Sequence, residues 1–356
     1  MDLKELLDFY KGKRVFITGH TGFKGSWLST ILVNAGAKVI GFSLGSKEGQ
    51  LRLFDLCEVR DKIVHFKGNI QHLPSLLGAF HLYQPEIVFH LAAQPLVRLS
   101  YENPVETYLT NVMGTVNVLE TVRRTPSVRS VLNVTTDKVY ENREWCWGYR
   151  ENEPLDGYDP YSNSKSCSEL ITHSYIRSFF KKRYSEASDS LVSNKHSVGI
   201  AASTARAGNV IGGGDFAKDR IIPDCVRAAI ENKPIVVRNP HSIRPYQHVL
   251  EPLFAYLLIA AKQYEDSRLS GYYNVGPDET DCVETGRLVD LFCKYWNETI
   301  TTENEETTQA LEWYSEPDSG PHEANFLKLD CSRIKTVFGW KPRWNINTVF
   351  ILSSNP

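Results

Sequence analysis

Tyr161 and Lys165 are the two residues of this 356-residue chain whose types and spacing most directly suggest chemistry. They form a Tyr-x-x-x-Lys pair in a stretch predicted to be helical, so both side chains are expected on one face of a helix. A tyrosine hydroxyl normally titrates at about 10, and a neighbouring ammonium favours the phenolate form. A pair at this spacing is expected about once by chance in a chain with 17 tyrosines, so its meaning depends on its neighbours.

A second polar cluster, Thr136-Asp137-Lys138, lies at the end of a predicted strand, 130–136. In an open α/β sheet, ligands gather at the carboxyl ends of the strands. A hydroxyl, a carboxylate and an ammonium placed there could act as hydrogen-bond donor, acid and base. The alternative is an ordinary polar turn that follows a strand.

A glycine turn near the N-terminus predicts a dinucleotide site. Gly19, Gly22 and Gly25 directly follow a predicted strand, 14–18, and begin a predicted helix. Glycine lets the backbone approach a pyrophosphate, and the helix N-terminus supplies free N–H groups. After the next strand, Ser43 stands where a ribose-binding carboxylate is usual, and no arginine suggests a 2′-phosphate, so the sequence favours NAD. The alternative is an ordinary tight turn.

The elements that must position these residues alternate between strand and helix, which is typical of a parallel sheet covered on both faces. The sequence predicts an α/β fold, a Rossmann-type doubly wound parallel sheet with a smaller, mostly C-terminal α/β substrate-binding region. We expect an NAD-binding domain with the catalytic residues in 1–205, and a mainly nucleotide-sugar-binding region in 206–356 whose interleaved segments return to the sheet. The main predicted strands are 14–18, 38–43, 63–66, 86–91 and 130–136, and the long helices are 104–124 and 161–180.

Composition limits the class of protein. A net charge of −2 argues against a nonspecific grip on nucleic acid or on an anionic membrane. The N-terminus lacks the pattern of a signal peptide, and no apolar run approaches the roughly 18 residues of a membrane helix. Seven cysteines without a C-x-x-C pair indicate neither a disulfide framework nor a zinc site. We therefore expect a cytoplasmic protein without a metal.

Longer runs of sequence resemble a known family. The order of the glycine turn, the strand end and the Tyr-Lys pair is similar to the extended short-chain dehydrogenase/reductase superfamily. Within it, the chain resembles the CDP-glucose 4,6-dehydratase family from about residue 10 to about residue 344. The matching runs include GHTGFKGSWLS from Gly19, FHLAAQPLVRLSY from Phe89, YDPYSNSK from Tyr158, RAGNVIGGGDFAKDR from Arg206 and RNPHSIRPYQHVLEP from Arg238.

The resemblance implies an activity, which is NAD-dependent dehydration of CDP-glucose to CDP-4-keto-6-deoxyglucose in the synthesis of deoxysugars for surface polysaccharide. Tyr161, assisted by Lys165 and Thr136, would remove the proton of the C4 hydroxyl while hydride leaves C4. Asp137 would protonate the departing C6 hydroxyl. Lys138 occupies the position associated with removal of the C5 proton, and it carries glutamate in dTDP-glucose dehydratases. The hydride then returns to C6, which leaves NAD unchanged.

The resemblance also implies the residues that bind cofactor and substrate, and it implies a homodimer or homotetramer. Arg244 matches a phosphate contact of the family, where an arginine fork is suited to a diphosphate. The implied cofactor-binding residues are Gly19, Thr21, Gly22, Phe23, Gly25, Ser43, Asn69, Ile70, Leu91, Ala92, Ala93, Thr110, Tyr161 and Lys165. The implied substrate-binding residues are Gln94, Arg98, Asn209, Arg220, Arg244 and His322.

The sequence departs from the family at three places. Asn69 replaces an aspartate that faces the adenine, the loop 185–196 is longer than in relatives, and the tail after Trp344 differs where relatives continue into a final amphipathic helix.

Three other functions are compatible with parts of the sequence. They are a nucleotide-sugar 4-epimerase, a dehydratase of a dTDP- or GDP-sugar, and an NAD-binding regulatory protein. Asp137 and Lys138 speak against the epimerase, and the presence of both Tyr161 and Lys165 speaks against the regulator.

Overall fold

The computed structural model describes residues 1–45, 51–180, 199–303, 310–316, 320 and 324–354, with backbone alone for 300–303 and 351–354. Its strands are β1 (Arg14–Thr18), β2 (Lys38–Ser43), β3 (Val64–Lys67), β4 (Ile87–His90), β5 (Ser130–Val134), β6 (Ala201–Ala207), β7 (Val210–Ile211), β8 (Ile235–Val237), β9 (Ile243–Arg244), β10 (Gln247–His248), β11 (Tyr272–Val275), β12 (Val283–Glu284) and β13 (Trp313–Ser315).

Seven of these strands form one parallel sheet in the order β11-β6-β5-β4-β1-β2-β3. The chain runs outward from β1 through β2 to β3, then returns to β4 on the other side of β1. That reversal is the topological switch point of a doubly wound sheet, where a ligand crevice is expected. The predicted Rossmann-type fold is confirmed.

The helices are, in chain order, α1 (Leu3–Tyr10), α2 (Phe23–Asn34), α3 (Leu53–Leu56), α4 (Leu73–Tyr83), α5 (Val97–Glu102), α6 (Pro104–Tyr108), α7 (Gly114–Arg124), α8 (Pro160–Tyr175), α9 (Ile221–Ile230), α10 (Leu250–Glu265), α11 (Thr285–Glu303), α12 (Ser332–Phe338) and α13 (Ile346–Ser354). No helix in the described part of the chain is long and apolar enough to cross a bilayer.

Side chains of the sheet alternate between two apolar layers. On β1, Val15 and Ile17 pack into a core with α1, α2 and α10, while Phe16 faces a second core with α4 and α7. Successive strand residues point to opposite faces, so a strand that is covered on both sides is apolar throughout. This explains the continuous apolar runs in the sequence, and it leaves only the strand ends free for polar chemistry.

One predicted long helix, 104–124, contains an irregular segment. The chain forms α6, then a π-helical segment at Leu109–Met113, then α7. Within that segment, the Asn111 side chain donates to the carbonyl of Gln94 at 3.0 Å and to the Ser164 hydroxyl at 2.9 Å. Insertions of this kind are frequent at functional sites, and this one ties the helix to the loop after β4 and to α8.

A third apolar core lies in the C-terminal half of the chain. It joins α9, α11 and α13 to β8, with Cys225, Leu288 and Val349 fully buried. The tail after Trp344, which the sequence analysis expected to differ from a final amphipathic helix, forms helix α13. The longer loop noted at 185–196 lies outside the described residues.

The two halves of the chain share the central sheet. Strand β6 continues to Ala207, and β11 pairs with it through Tyr272 and Val275, far along the chain. The division at 205/206 between a cofactor domain and a substrate region stays a prediction.

Candidate active site

A cleft of about 1320 Å³ opens at the carboxyl ends of the central strands. This exceeds the roughly 300–1,000 Å³ of a pocket for one drug-sized ligand. The cleft is lined by residues that follow or end β2, β3, β4, β5 and β6, namely Ser43, Gly68, Leu91, Thr135 and Gly208. It therefore has room for a dinucleotide and a second ligand beside it.

The glycine turn forms one end of the cleft. Gly19 has a φ of +76°, and a Cβ there would lie 2.7 Å from the backbone nitrogen of Ala92. A Cβ on Gly25 would lie 2.1 Å from the carbonyl oxygen of Gly19, so the first turn of α2 packs against the loop backbone. Gly22 caps α2 without a side-chain hydrogen bond. The N–H groups of that turn are therefore available to an anion such as a pyrophosphate.

Hydroxyl groups, not a carboxylate, mark the end of β2. The Thr21 hydroxyl donates to the Ser43 hydroxyl at 3.0 Å, and Ser43 donates to the carbonyl of Leu44 at 3.3 Å. Glu48, the next carboxylate along the chain, lies outside the described residues. Thr21 and Ser43 can bind a ribose through hydrogen bonds, without charge.

Asn69 also lines the cleft. Its side-chain oxygen accepts a hydrogen bond from the backbone nitrogen of Gln71 at 2.9 Å, and a carbonyl oxygen has a second lone pair for a ligand. The structure also brings to the cleft wall the other predicted cofactor-binding residues, which are Phe23, Ile70, Leu91, Ala92, Ala93 and Thr110.

Tyr161 and Lys165 lie one turn apart near the start of α8, where Asp159 caps the helix by accepting from the Ser162 nitrogen at 2.9 Å. The buried Lys165 ammonium donates to the carbonyl of Val134, at the end of β5, over 3.1 Å. Burial lowers the pKa of Lys165 to about 8. The helix and the strand end therefore meet where the predicted pair and the predicted polar cluster face each other.

Burial raises the pKa of Tyr161 to about 12, against the opposing effect of a hydrogen bond with Thr136. The lowered pKa expected for the tyrosine is thus not a property of the protein groups alone. A further positive charge beside the phenol is needed before the tyrosine can accept a proton near neutral pH.

Thr136, Asp137 and Lys138 line the cleft at the end of β5. The Thr136 hydroxyl donates to Asp137 Oδ1 at 2.9 Å, and the Lys138 ammonium lies 3.7 Å from the same oxygen. Asp137 is only 1% exposed, and its Oδ2 has no hydrogen-bond partner within the described residues. A buried polar atom of this kind is costly unless a ligand or water pairs with it, so Oδ2 is free to take up a further hydrogen-bond partner.

Basic and amide side chains form the rest of the wall, where Arg98, Asn209, Arg220 and Arg244 all line the cleft. Arg220 is paired with Asp215 at 2.8 Å. Arg244 is buried, and its guanidinium donates to the carbonyls of Ile243 and Ala324. These bonds hold the guanidinium in place and leave further N–H groups for an anionic ligand.

One predicted substrate-binding residue, Gln94, is not brought to the cleft. Gln94 is not among the described residues that line it, because its side chain donates to Leu96 and Thr107 and accepts from the Leu96 nitrogen at 2.6 Å. Gln94 therefore shapes the loop after β4. His322 lies outside the described residues.

Lys24 is a lining residue that the sequence analysis missed. It stands between the glycines of the turn, and its ammonium lies 5.9 Å from the centre of the Tyr256 ring. Burial lowers its pKa to about 8, with the positive charge of Arg220 acting in the same direction and Asp137 opposing. The sequence offered one indication of this role. Lys24 lies between Gly22 and Gly25, where the turn itself does not require a charged side chain.

The described residues contain no cluster of three or more histidine, cysteine, aspartate or glutamate side chains that could hold a metal ion. The chemistry available to the cleft is proton transfer by a tyrosine, an aspartate and a lysine, beside a cradle for a dinucleotide.

Known proteins resemble this chain over most of its length. The model of the GDP-mannose 4,6-dehydratase family matches residues 16–351. A curated relative, the CDP-glucose 4,6-dehydratase of Salmonella typhimurium, is 47% identical over 340 residues, which cover 95% of this chain and 89% of the relative. A probable dTDP-glucose 4,6-dehydratase of Sinorhizobium fredii is 27% identical over 345 residues, which cover 94% of this chain and 90% of the relative.

Solved structures share the fold at lower identity. The dTDP-glucose 4,6-dehydratase of Bacillus anthracis, in complex with NAD, aligns with a TM-score of 0.75 and 20% identity over 96% of each chain. The UDP-glucose 4-epimerase of Thermotoga maritima, with UDP-glucose, aligns with a TM-score of 0.75 and 19% identity over 96% of this chain and 97% of its own.

Proposed function

Since the chain belongs to the GDP-mannose 4,6-dehydratase family of sugar-nucleotide hydro-lyases, we propose that it converts CDP-glucose to CDP-4-keto-6-deoxyglucose with NAD as cofactor. One observation carries the proposal. Asp137 and Lys138, at the end of β5, line the same cleft as Tyr161 and Lys165, on α8. Oxidation needs only the second pair, whereas loss of water across C5 and C6 needs an acid and a base as well.

The residues present suit NAD. The glycine cradle admits a pyrophosphate that a Cβ would exclude, and the hydroxyls of Thr21 and Ser43 are suited to a ribose. When bound, NAD takes up the hydride from C4 and later returns it to C6. A bound cationic nicotinamide ring would supply the additional positive charge that the raised pKa of Tyr161 calls for.

The protein groups divide the proton transfers. Tyr161 accepts the proton of the C4 hydroxyl, with Thr136 as its hydrogen-bond partner and Lys165 one turn further along α8. The Lys138 ammonium, 3.7 Å from Asp137, first passes a proton to that carboxylate. The C4 ketone acidifies the C5 hydrogen, which Lys138 then removes as the neutral amine, and Lys138 returns a proton to C5 when the hydride is restored to C6. Asp137 donates a proton from its unpaired Oδ2 to the C6 hydroxyl as it leaves as water. Every step therefore has a donor or an acceptor within the same wall of the cleft.

The arginine side chains of the cleft are proposed to bind the nucleotide diphosphate. The guanidinium of Arg244, fixed by two carbonyls, is suited to the diphosphate. Arg98, Asn209 and Arg220 complete the proposed substrate contacts. The preference for cytosine is supported by the 47% identity to the CDP-glucose enzyme, compared with 27% to a probable dTDP-glucose enzyme.

The experiment offers CDP-, dTDP- and UDP-glucose separately to the full chain with added NAD, and NMR follows the products. We expect a 4-keto-6-deoxy sugar from CDP-glucose, with at least tenfold lower kcat/KM for the other two. A matching rate with dTDP- or UDP-glucose would contradict the nucleotide assignment. Formation of the C4 epimer without a 4-keto product would instead support the epimerase reading, which the shared fold with a UDP-glucose 4-epimerase keeps open.

Assembly into a homodimer or homotetramer is part of the proposal, as is a cytoplasmic location. Large apolar side chains are exposed along neighbouring helices, namely Val105, Leu109, Met113, Leu170 and Phe179. Clusters of exposed apolar residues commonly mark contact surfaces between proteins. Light scattering of the wild-type chain and of the Val105→Glu/Met113→Glu variant tests the surface, and we expect the variant alone to be monomeric.

A further inference from the structure

A buried ion pair lies directly behind the proposed catalytic residues. Glu169, on α8 one turn beyond Lys165, and Arg206, on β6, both have fully buried side chains, and their charged atoms are 2.9 Å apart. Charges are rarely removed from water without a specific arrangement of partners. None of the proposed steps uses either residue.

The carboxylate of Glu169 is saturated with donors from three elements. Its Oε1 accepts from the Thr135 hydroxyl, which follows β5. Its Oε2 accepts from the Thr204 hydroxyl at 2.7 Å and from Arg206 at 2.9 Å, both on β6, and contacts His173 at 3.2 Å. Burial alone raises the pKa of the carboxyl, but Arg206 and the hydrogen bonds outweigh burial and lower it to about 2. Glu169 is therefore an anion.

Two adjacent bonds join α8 to the strand end that carries the acid and the base. The Lys165 ammonium donates to the carbonyl of Val134, and the next residue, Thr135, donates to Glu169. Thr136 and Asp137 follow immediately along the chain. The same two side chains of α8 thus fix the position of the strand end relative to Tyr161, which lies one turn before Lys165.

Glu169 also acts on the charge of Lys165. Burial lowers the pKa of the lysine, and the Glu169 carboxylate is the group that opposes this effect. Among the described residues, Lys24, from α2, and His90, from β4, also interact electrostatically with Lys165. His90 is neutral, because burial lowers its pKa to about 3, so Glu169 is the anion that favours the lysine ammonium.

We propose that Glu169 is a positioning residue of this active site: anchored by Arg206, it holds the strand end 134–138 against α8 through Thr135 and keeps Lys165 charged. The inference rests on the proposed function. The buried ion pair would thus set the distance between Tyr161, which accepts the C4 proton, and Asp137 and Lys138, which act at C6 and C5. Displacements of about 1 Å at such distances are enough to reduce turnover strongly.

The first test compares Thr135→Val with Thr204→Val in the full chain. Both changes remove one hydroxyl donor to the same carboxylate from a buried threonine, but only Thr135 adjoins the catalytic cluster. We expect Thr135→Val to lower kcat roughly tenfold or more, with KM for CDP-glucose nearly unchanged. Thr204→Val is expected to keep kcat within about twofold at a similar melting temperature. Equal kcat for two folded variants would overturn the positioning role.

The second test removes the charge. Glu169→Gln is combined with Arg206→Met, because the single change leaves a buried guanidinium unpaired and can prevent folding. Loss of the anion lowers the pKa of Lys165, so the alkaline limb of the kcat profile is expected to move to lower pH. Thr204→Val is expected to keep the wild-type limb. An unmoved limb in the folded double variant would contradict the electrostatic role.

The wild-type chain is assayed beside every variant. If the wild type makes no 4-keto-6-deoxy sugar from CDP-glucose, the proposed function fails and this inference fails with it. If the wild type is active while Thr135→Val behaves as Thr204→Val does, the proposed function stands and the positioning role of Glu169 alone is rejected.

Discussion

Asp137 combines nearly complete burial with one oxygen that no described residue pairs. Replacing it by asparagine keeps the shape and the Oδ1 contact to Thr136 but removes the proton that the C6 hydroxyl needs on leaving. We expect kcat to fall by about 10²- to 10⁴-fold, the usual contribution of general acid–base catalysis. The measurement is steady-state formation of the 4-keto product from CDP-glucose.

A surface aspartate provides the matched control. Asp278→Asn removes an ion pair with Lys335, and neither residue lines the cleft, so the change is expected to leave kcat unchanged. Retention of wild-type turnover by Asp137→Asn would remove Asp137 from the mechanism.

Lys165 gives a second prediction at this scale, concerning pH. Burial lowers its pKa to about 8, so the ammonium is present below that pH and is lost above it. Because the ammonium favours the Tyr161 phenolate, kcat/KM should fall as pH rises through about 8. Lys165→Arg keeps the charge throughout this range. The alkaline fall should therefore disappear in that variant, even if its absolute rate is lower, and a persistent fall would assign the limb to another group.

Individual site residues were predictable where the local sequence pattern indicated their role. Tyr161, Lys165 and the 136–138 cluster follow from spacing and from position at a strand end, and the structure brings them to one cleft. Lys24 and Glu169 were not predicted, because their importance arises from neighbours distant in the chain, such as Tyr256 and Arg206. No local pattern distinguishes a lysine or glutamate of this kind from an ordinary surface charge.

At the scale of elements, α2 and its glycine turn make a specific prediction. A Cβ at Gly25 would lie 2.1 Å from the carbonyl oxygen of Gly19, so Gly25→Ala must move the start of α2 away from the loop. We expect weaker NAD binding in titration calorimetry and a loss of about 1–3 kcal/mol in the free energy of unfolding.

The same substitution at Gly78, within α4, is the control. No atom lies within 4 Å of a Cβ built there, and alanine favours a helix over glycine by about 1 kcal/mol. Gly78→Ala should therefore keep NAD affinity and should not destabilise the protein. If the Gly25 variant binds NAD as tightly as the Gly78 variant, the proposed cradle is wrong.

The sequence predicted regular elements better than their irregularities. The strands of the sheet were indicated by apolar runs, since both faces are covered. The π-helical segment at Leu109–Met113 was not predicted, because it depends on tertiary bonds from Asn111 to Gln94 and Ser164. The apolar periodicity of the sequence predicts only that the region is helical.

At the scale of the whole molecule, α13 connects the tail to the third core. Val349 is fully buried there, whereas Asn347 is exposed on the same helix. We expect Val349→Ala to reduce the free energy of unfolding by about 2 kcal/mol and Asn347→Ala to change it by less than about 0.5 kcal/mol. Urea denaturation followed by fluorescence measures both. Equal stabilities would mean that the tail does not contribute to the core.

The region after residue 206 was predicted only in outline. Apart from β11, which has four residues, its strands are two or three residues long, and they pair across large separations, as β8 does with β13 and β7 with β10. Such pairs depend on tertiary contacts, not on local propensity, so a single sequence does not define them. The central sheet, by contrast, repeats a strand–helix unit that sequence patterns register well.

Isotope transfer tests most directly whether this active site removes water across C5 and C6 of the sugar. The full chain with NAD is given CDP-[4-²H]glucose in ordinary water, and unlabelled CDP-glucose in deuterated water. We predict that NMR finds the label of the first product at C6, and solvent deuterium in the second product at C5. Label retained at C4 in an epimerised sugar, or a product without deuterium at C5, would contradict the account.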